Sequence, residues 1–313
     1  MSRSAILAVE TGGTKVVWRV TDPDGGELES GRFATGEPQA VTKALVEAVG
    51  DRRVLALGVA SFGPLVVDPG SKDRGAMLAT PKPGWAGFNL AKALSERLGA
   101  PFAVDTDVNA AAIAEARLGA GRGRRAVAYV TVGTGVGGGL VVDGATLKGA
   151  LHPEIGHLFV KRAPDDHAVS QCPFHDDCVE GLAAGPAVQA RLAGRTLQDA
   201  PQVMDWVADY LGQLAASLVF AWAPDRIVFG GGVMSTPGLL RLVEDRARRH
   251  VAGYGSAVVM GEHDYLAAAE LSDAGLEGAL LMAHFDFAQA MALGLAFSVA
   301  AWAIVAIGVI ELF

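Results

Sequence analysis

The chain has 313 residues, 51% of them hydrophobic, with 40 glycines and a formal net charge of -8. That length and apolar content can fill two ordinary cores, and the glycines point to many tight turns. The acidic balance argues against DNA, RNA or an anionic membrane surface as the main partner, so an anionic ligand would have to be held by local groups.

The first apolar run, Ala5-Ile-Leu-Ala-Val-Glu10, reads as a strand. It is too short, and ends too soon in Glu10, to be a secretory signal, so a cytoplasmic location is expected. Thr11-Gly-Gly-Thr14 reads as a turn and Lys15 to Val20 as the returning strand. Further on, Phe102-Ala-Val104 reads as a short strand that ends in Asp105-Thr106-Asp107, and an alanine-rich helix follows from Asn109 through Gly119. Asp107 then sits at a helix N-terminus, facing a cleft between two halves. There it either caps the helix or accepts the proton of an attacking hydroxyl in phosphoryl transfer.

Ala126 to Val132, the turn Gly133-Thr-Gly135 and the strand Val136 to Val142 repeat the plan of the first hairpin, a faint internal duplication. Glycine lets the backbone approach an anion and present its N–H groups, and the threonine hydroxyl adds a donor. One such turn is usually only a turn, but two can grip a polyphosphate from both sides. A third cluster, Gly230-Gly-Gly-Val-Met234, follows the buried-strand pattern Arg226-Ile-Val-Phe229. It is either a tight strand-to-helix turn or, given two phosphate turns upstream, a seat for adenosine.

Between these clusters, Glu154-Ile-Gly-His157 precedes Cys172-Pro-Phe-His175-Asp-Asp-Cys178, which holds both cysteines of the chain. His157, Cys172, His175 and Cys178 offer two thiolates and two imidazoles, the ligands of a closed tetrahedral zinc site. A disulfide is the alternative, but it needs an oxidising compartment and leaves the histidines unexplained. Four protein ligands leave no open position, so the zinc should be structural.

In this order, Gly12-Gly-Thr-Lys15, Asp107-Val-Asn109, Gly133-Thr-Gly135-Val-Gly137, Glu154-Ile-Gly-His157, the cysteine loop, Glu180-Gly-Leu-Ala-Ala-Gly-Pro186 and Gly230-Gly-Gly-Val233 make the chain resemble ROK-family sugar kinases, from about Ser4 to about Ala283. Glu10 to Lys15, Thr80-Pro-Lys-Pro-Gly-Trp85, Asp105 to Asn109 and the form of the cysteine loop resemble the fructokinase branch in particular. The resemblance implies an α/β, actin-like (ribonuclease H-like) fold of two duplicated domains that close on ATP and sugar. It implies ATP-dependent conversion of fructose to fructose 6-phosphate, with a broader hexose kinase acting on mannose or glucose, or a non-catalytic sugar sensor, as alternatives. Carried over, Asp107 is the general base. Gly12, Gly13, Thr14 and Lys15 form the first phosphate turn, and Gly133, Thr134 and Gly135 the second. Gly230, Gly231 and Gly232 lie near adenosine, while Asn109, Glu154, His157 and Glu180 lie around the sugar. Mg2+ is required to neutralise the transferred phosphoryl group, and no all-protein magnesium cage is visible. Dimers are usual in the family, so a homodimer is expected.

These readings divide the chain into a small α/β domain at 1–119, a larger one with the zinc loop at 120–283, and an apolar appendage at 284–313. Phe287 to Ile310 carries no charged residue and is long enough to cross a bilayer as a helix. A membrane anchor, a helix buried in an interface or against the body, and an end with no selected role all fit it.

Overall fold

Strand β1 (Ser4–Thr11) is almost wholly buried, as a central strand must be when both its edges and both its faces are covered. It pairs antiparallel with β2 (Lys15–Thr21), which pairs antiparallel with β3 (Glu27–Ala34). The charged, mostly exposed β3 ends that side of the sheet, a pattern that discourages pairing with another chain. Helix α1 (Pro38–Val49) begins with proline at its first position and buries Val41, Leu45 and Val49 along one face. Strand β4 (Arg53–Ser61) runs parallel to β1 on its other side. Helix α2 (Leu90–Leu98), capped by Asn89, packs on α1 and β4, and β5 (Phe102–Thr106) completes the strand order β3-β2-β1-β4-β5.

The structure, a computed structural model, describes residues 3–261 and 264–285, so the apolar stretch 287–310 and most of the expected appendage lie outside the described residues. Among the described residues no helix is long and apolar enough to cross a membrane.

After α3 (Asp107–Arg117) the second sheet repeats the first. Its strands β6 (Ala126–Val132), β7 (Val136–Val142), β8 (Ala145–Thr146), β9 (Arg226–Gly230) and β10 (Leu266–Ala268) stand in the order β10-β9-β6-β7-β8. Here too the first strand pairs antiparallel with the second and parallel with the one entered after a helical excursion. The duplication expected from the two glycine hairpins is thus a duplication of sheets. Helices α4 (Val179–Ala183), α5 (Gly185–Leu192), α6 (Pro201–Trp222) and α7 (Leu239–Val251) carry the rest of this unit. Its core joins Ile227 and Phe229 of β9 to Tyr210, Leu211, Leu214 and Leu218 of α6 and Val243 of α7.

The chain divides into two compact units, one of residues up to Val66, Lys72–Asp105 and 279 onward, the other of Val67–Ser71 and Thr106–Gly278. The first boundary therefore falls before α3 rather than after residue 119. Helix α3 lies on β6 and β7, with Val108 against Gly137 and Asn109 against Gly139. The second boundary falls within the helix at 274–285, before residue 283. Ala283 packs on Ile6 and Ala56, and the backbone at Ala279 lies so close to Gly58 that any side chain there would collide with it.

Candidate active site and metal centre

The turn Gly12 to Lys15 is closed by Gly12 N–H donating to the Lys15 carbonyl at 2.8 Å. Around it, the Thr35 hydroxyl donates to the Gly12 carbonyl at 2.7 Å and the Lys82 ammonium to the Gly13 carbonyl at 2.8 Å. Gly13, Thr14 and Lys15 are exposed, as a backbone offered to a ligand must be. Lys82 belongs to the Thr80 to Trp85 run, and Trp85 is anchored by its indole N–H on the Gly36 carbonyl at 3.0 Å and by ring contacts with Phe62 and Phe88. That run thus braces the first turn. These residues all belong to the first unit, and the remaining candidates to the second.

Asp107 does not cap α3. The cap is Thr106, whose Oγ1 accepts from Asn109 N–H at 3.1 Å, so α3 starts two residues earlier than the sequence suggests. Asp107 is the first helical residue, half-buried, with Oδ1 accepting from its neighbour Val108 N–H at 2.9 Å. Asn109 is fully buried against Gly139, where its side chain occupies the space a Cβ would need. The start of α3 is thereby seated on β7 just beyond the second glycine turn.

That turn, Gly133 to Gly135, is closed by Gly133 N–H donating to the Gly135 carbonyl at 2.9 Å, and Thr134 is exposed. Glu180, expected near the sugar, reaches the turn itself: its Oε2 accepts from Val136 N–H at 3.0 Å. Glu154 is exposed beside the 3-10 turn Ile155–His157, with Oε1 at 3.5 Å from Nδ1 of the buried His152. Gly156 packs on the Val136 backbone too closely for any side chain, which ties this segment to β7 as well.

Gly230 to Gly232 follow β9. Gly231 has φ +90°, and a Cβ there would lie 2.5 Å from the Val132 carbonyl oxygen, so both conformation and space demand glycine. Beside Gly232 opens a pocket of about 240 Å3 lined by Thr196 to Gln198 and Ser235 to Pro237.

His157, Cys172, His175 and Cys178 converge, with one ligand atom from each lying within 4.8 Å of every other. Among the described residues theirs is the one such group placed to hold a metal. A tetrahedral zinc with its usual bond lengths sets sulfur–nitrogen edges of about 3.6 Å. The structure has Cys172 Sγ at 3.7 Å from His175 Nδ1 and 3.8 Å from His157 Nδ1, and Cys178 Sγ at 3.9 Å from His157 Nδ1. Both cysteines are free thiols, so the disulfide alternative falls. Burial pushes the Cys178 thiol up to about 11, against the opposing bond from Gly181 N–H, so a cation is what would hold it as thiolate near neutrality.

The loop has fasteners that spacing alone did not reveal. Arg162 donates to Asp177 Oδ1 and to the carbonyls of Ala168 and Asp176 at 2.6–2.7 Å. Asp166, fully buried, accepts from Arg191 and from the Tyr210 hydroxyl. Burial opposes ionisation of Asp166, but bonds from Arg191, Tyr210 and Ala168 N–H outweigh it and hold the carboxyl below its usual range.

The sequence profile of the ROK family matches residues 6–285. The chain belongs to the ROK family. It is similar to a fructokinase of Pediococcus pentosaceus, 35% identical over 280 residues that cover 88% of this chain and 96% of that protein. A fructokinase of Zymomonas mobilis subsp. mobilis is 39% identical over 249 residues, covering 75% of this chain and 82% of that one. Among solved structures, a ROK hexokinase from Thermus thermophilus aligns with a TM-score of 0.72 at 30% identity, over 91% of this chain and 99% of that one. A ROK family glucokinase from Streptomyces griseus in complex with glucose and AMPPNP aligns with a TM-score of 0.68 at 26% identity, over 89% of this chain and 99% of that one. The two repeated sheets are those of the actin-like ATPase fold of ROK kinases.

Proposed function

We propose that this ROK-family sugar kinase transfers the γ-phosphoryl group of ATP to the 6-hydroxyl of fructose, with Asp107 as general base. The observation that carries the reading is the seat of Asp107. Thr106 does the capping, and Val108 and Asn109, which follow Asp107, pack on Gly137 and Gly139 of β7, the strand that leaves the Gly133 to Gly135 turn, so Asp107 opens the helix on that strand without being needed to cap it.

In this reading Asp107 accepts the proton of the attacking hydroxyl as its oxygen bonds to the γ-phosphorus and the bond to ADP breaks. Gly12 to Lys15 and Gly133 to Gly135 hold the phosphates through backbone N–H groups and the hydroxyls of Thr14 and Thr134. The pocket beside Gly232 takes the adenosine. Asn109, Glu154, His157 and Glu180 orient the sugar. Mg2+ supplies charge neutralisation on the transferred group. Zinc would be held by His157, Cys172, His175 and Cys178, and four protein ligands would leave it no open position for reaction chemistry. It fixes the segment that carries Glu154 and His157. Two free thiols suit the reducing cytoplasm expected from the sequence.

Fructose as the acceptor is supported by the Glu10 to Lys15, Thr80 to Trp85 and Asp105 to Asn109 matches and by relatives named fructokinase at 35% and 39% identity. Incubating the full chain with ATP, Mg2+ and fructose and following phosphorus by NMR tests it. Fructose 6-phosphate and ADP in equal amounts are expected. Binding of fructose with no phosphorylated sugar would favour a sensor instead.

A further inference from the structure

We infer that Glu180 positions the phosphate-binding turn, and that α4 carries the order of the metal loop to the nucleotide as well as to the sugar. The inference rests on the reading of Gly133 to Gly135 as a phosphate turn.

Helix α4 is tied to the metal loop at its start. Cys178, one of the four residues that would hold zinc, is its N-cap, with Sγ accepting from Gly181 N–H at 3.4 Å. Gln171 N–H donates to the Gly181 carbonyl at 2.9 Å, and a Cβ on Gly181 would lie 3.0 Å from Cys172 Cβ, so helix and loop are packed without slack. The same short helix is tied to the glycine turn. Glu180 Oε2 accepts from Val136 N–H at 3.0 Å and lies 2.6 Å from where a Gly135 side chain would begin. Just past α4, Gly185 N–H donates to the Gly133 carbonyl at 2.7 Å. Both ends of the turn are therefore bonded to one segment, and that segment opens with a metal-ligating cysteine.

Val179, Leu182 and Ala183 are fully buried, so α4 cannot shift without disturbing the core. A glycine turn free in solution would spend binding energy on its own ordering. One held from behind presents its amides already placed for an anion. Glu180 acts here through the turn and is a positioning residue for the nucleotide, whatever its second oxygen does for the sugar.

Titration calorimetry with ADP, on full-length zinc-loaded protein and without sugar, tests this. Glu180→Asp keeps the charge but draws the oxygen back from Val136 N–H, and should weaken ADP binding by about tenfold or more. Glu180→Gln keeps an acceptor oxygen at the same reach and should stay within about threefold of wild type. Both variants should retain zinc by elemental analysis. Unchanged ADP affinity in Glu180→Asp overturns the inference. If that variant does not fold, amide exchange of the 133–136 segment in wild type decides: it should quicken when zinc is chelated, and equal rates would overturn the link. A wild type that binds no ADP at all would remove the phosphate reading, and this inference with it.

Discussion

Arg191 grips Asp166 with two parallel bonds, Nε to Oδ1 at 3.1 Å and Nη2 to Oδ2 at 2.7 Å, and the two side chains are 3% and 0% exposed. Tyr210 of α6 adds a third bond to Oδ2 at 2.7 Å, so a residue of the metal loop is fixed to two helices at once. Removing one partner strands a buried charge, which costs about 3–5 kcal/mol. Arg191→Ala and Asp166→Ala should each lower the denaturant-derived stability by about that amount. Losses near zero would show that the pair is not buried in solution.

The same pair sets an acid limit. Asp166 has its carboxyl held below the usual range, so its contribution is fully present above the unfolded value of about 3.9 and is lost as pH falls through the lower folded value. The stability gap between wild type and Asp166→Asn should thus stay constant between about pH 5 and 8 and narrow below about pH 4. A gap that already shrinks near neutrality would contradict this assignment.

Capping and catalysis are assigned to adjacent residues, which makes them separable. Asp107→Asn keeps an oxygen for Val108 N–H and should leave the melting temperature near wild type while lowering kcat by about 10²- to 10⁴-fold. Thr106→Ala should show the reverse, a loss of about 1 kcal/mol of stability with the chemistry intact. Near-normal turnover in Asp107→Asn would remove Asp107 from the base role.

For the metal, Cys178→Ser should lose zinc by elemental analysis and loosen the loop, seen as faster proteolysis between 160 and 178. Arg162 and Asp166 still tether the loop, so the rest of the second unit should stay folded. Zinc content equal to wild type in that variant would sink the ligand assignment.

What could be read from the residues was mostly local. The glycine hairpins, with strands at Ala126–Val132 and Val136–Val142, stand where the apolar runs and Gly-Thr turns place them. Four soft and borderline ligand types within one stretch pointed to the side chains that converge as a group able to hold a metal, since their chemistry has few other uses. The α3 cap was not readable, because Thr106 and Asp107 are both good capping residues and only the backbone decides between them. Nor were the Asp166–Tyr210 and Val136–Glu180 bonds, each spanning 44 residues of sequence, for no spacing rule reaches that far. The unit boundary moved for a related reason. The alanine-rich α3 reads as a helix alone, while its seat on Gly137 and Gly139 depends on a strand that comes later in the chain.

The central claim is best met by measuring kcat/KM of the full-length protein for fructose, glucose and mannose, with ATP and Mg2+ and with Asp107→Asn as control. The account predicts that fructose leads clearly and that the control is nearly silent on all three. Equal or greater efficiency on glucose, or an Asp107→Asn variant as active as wild type, would contradict it.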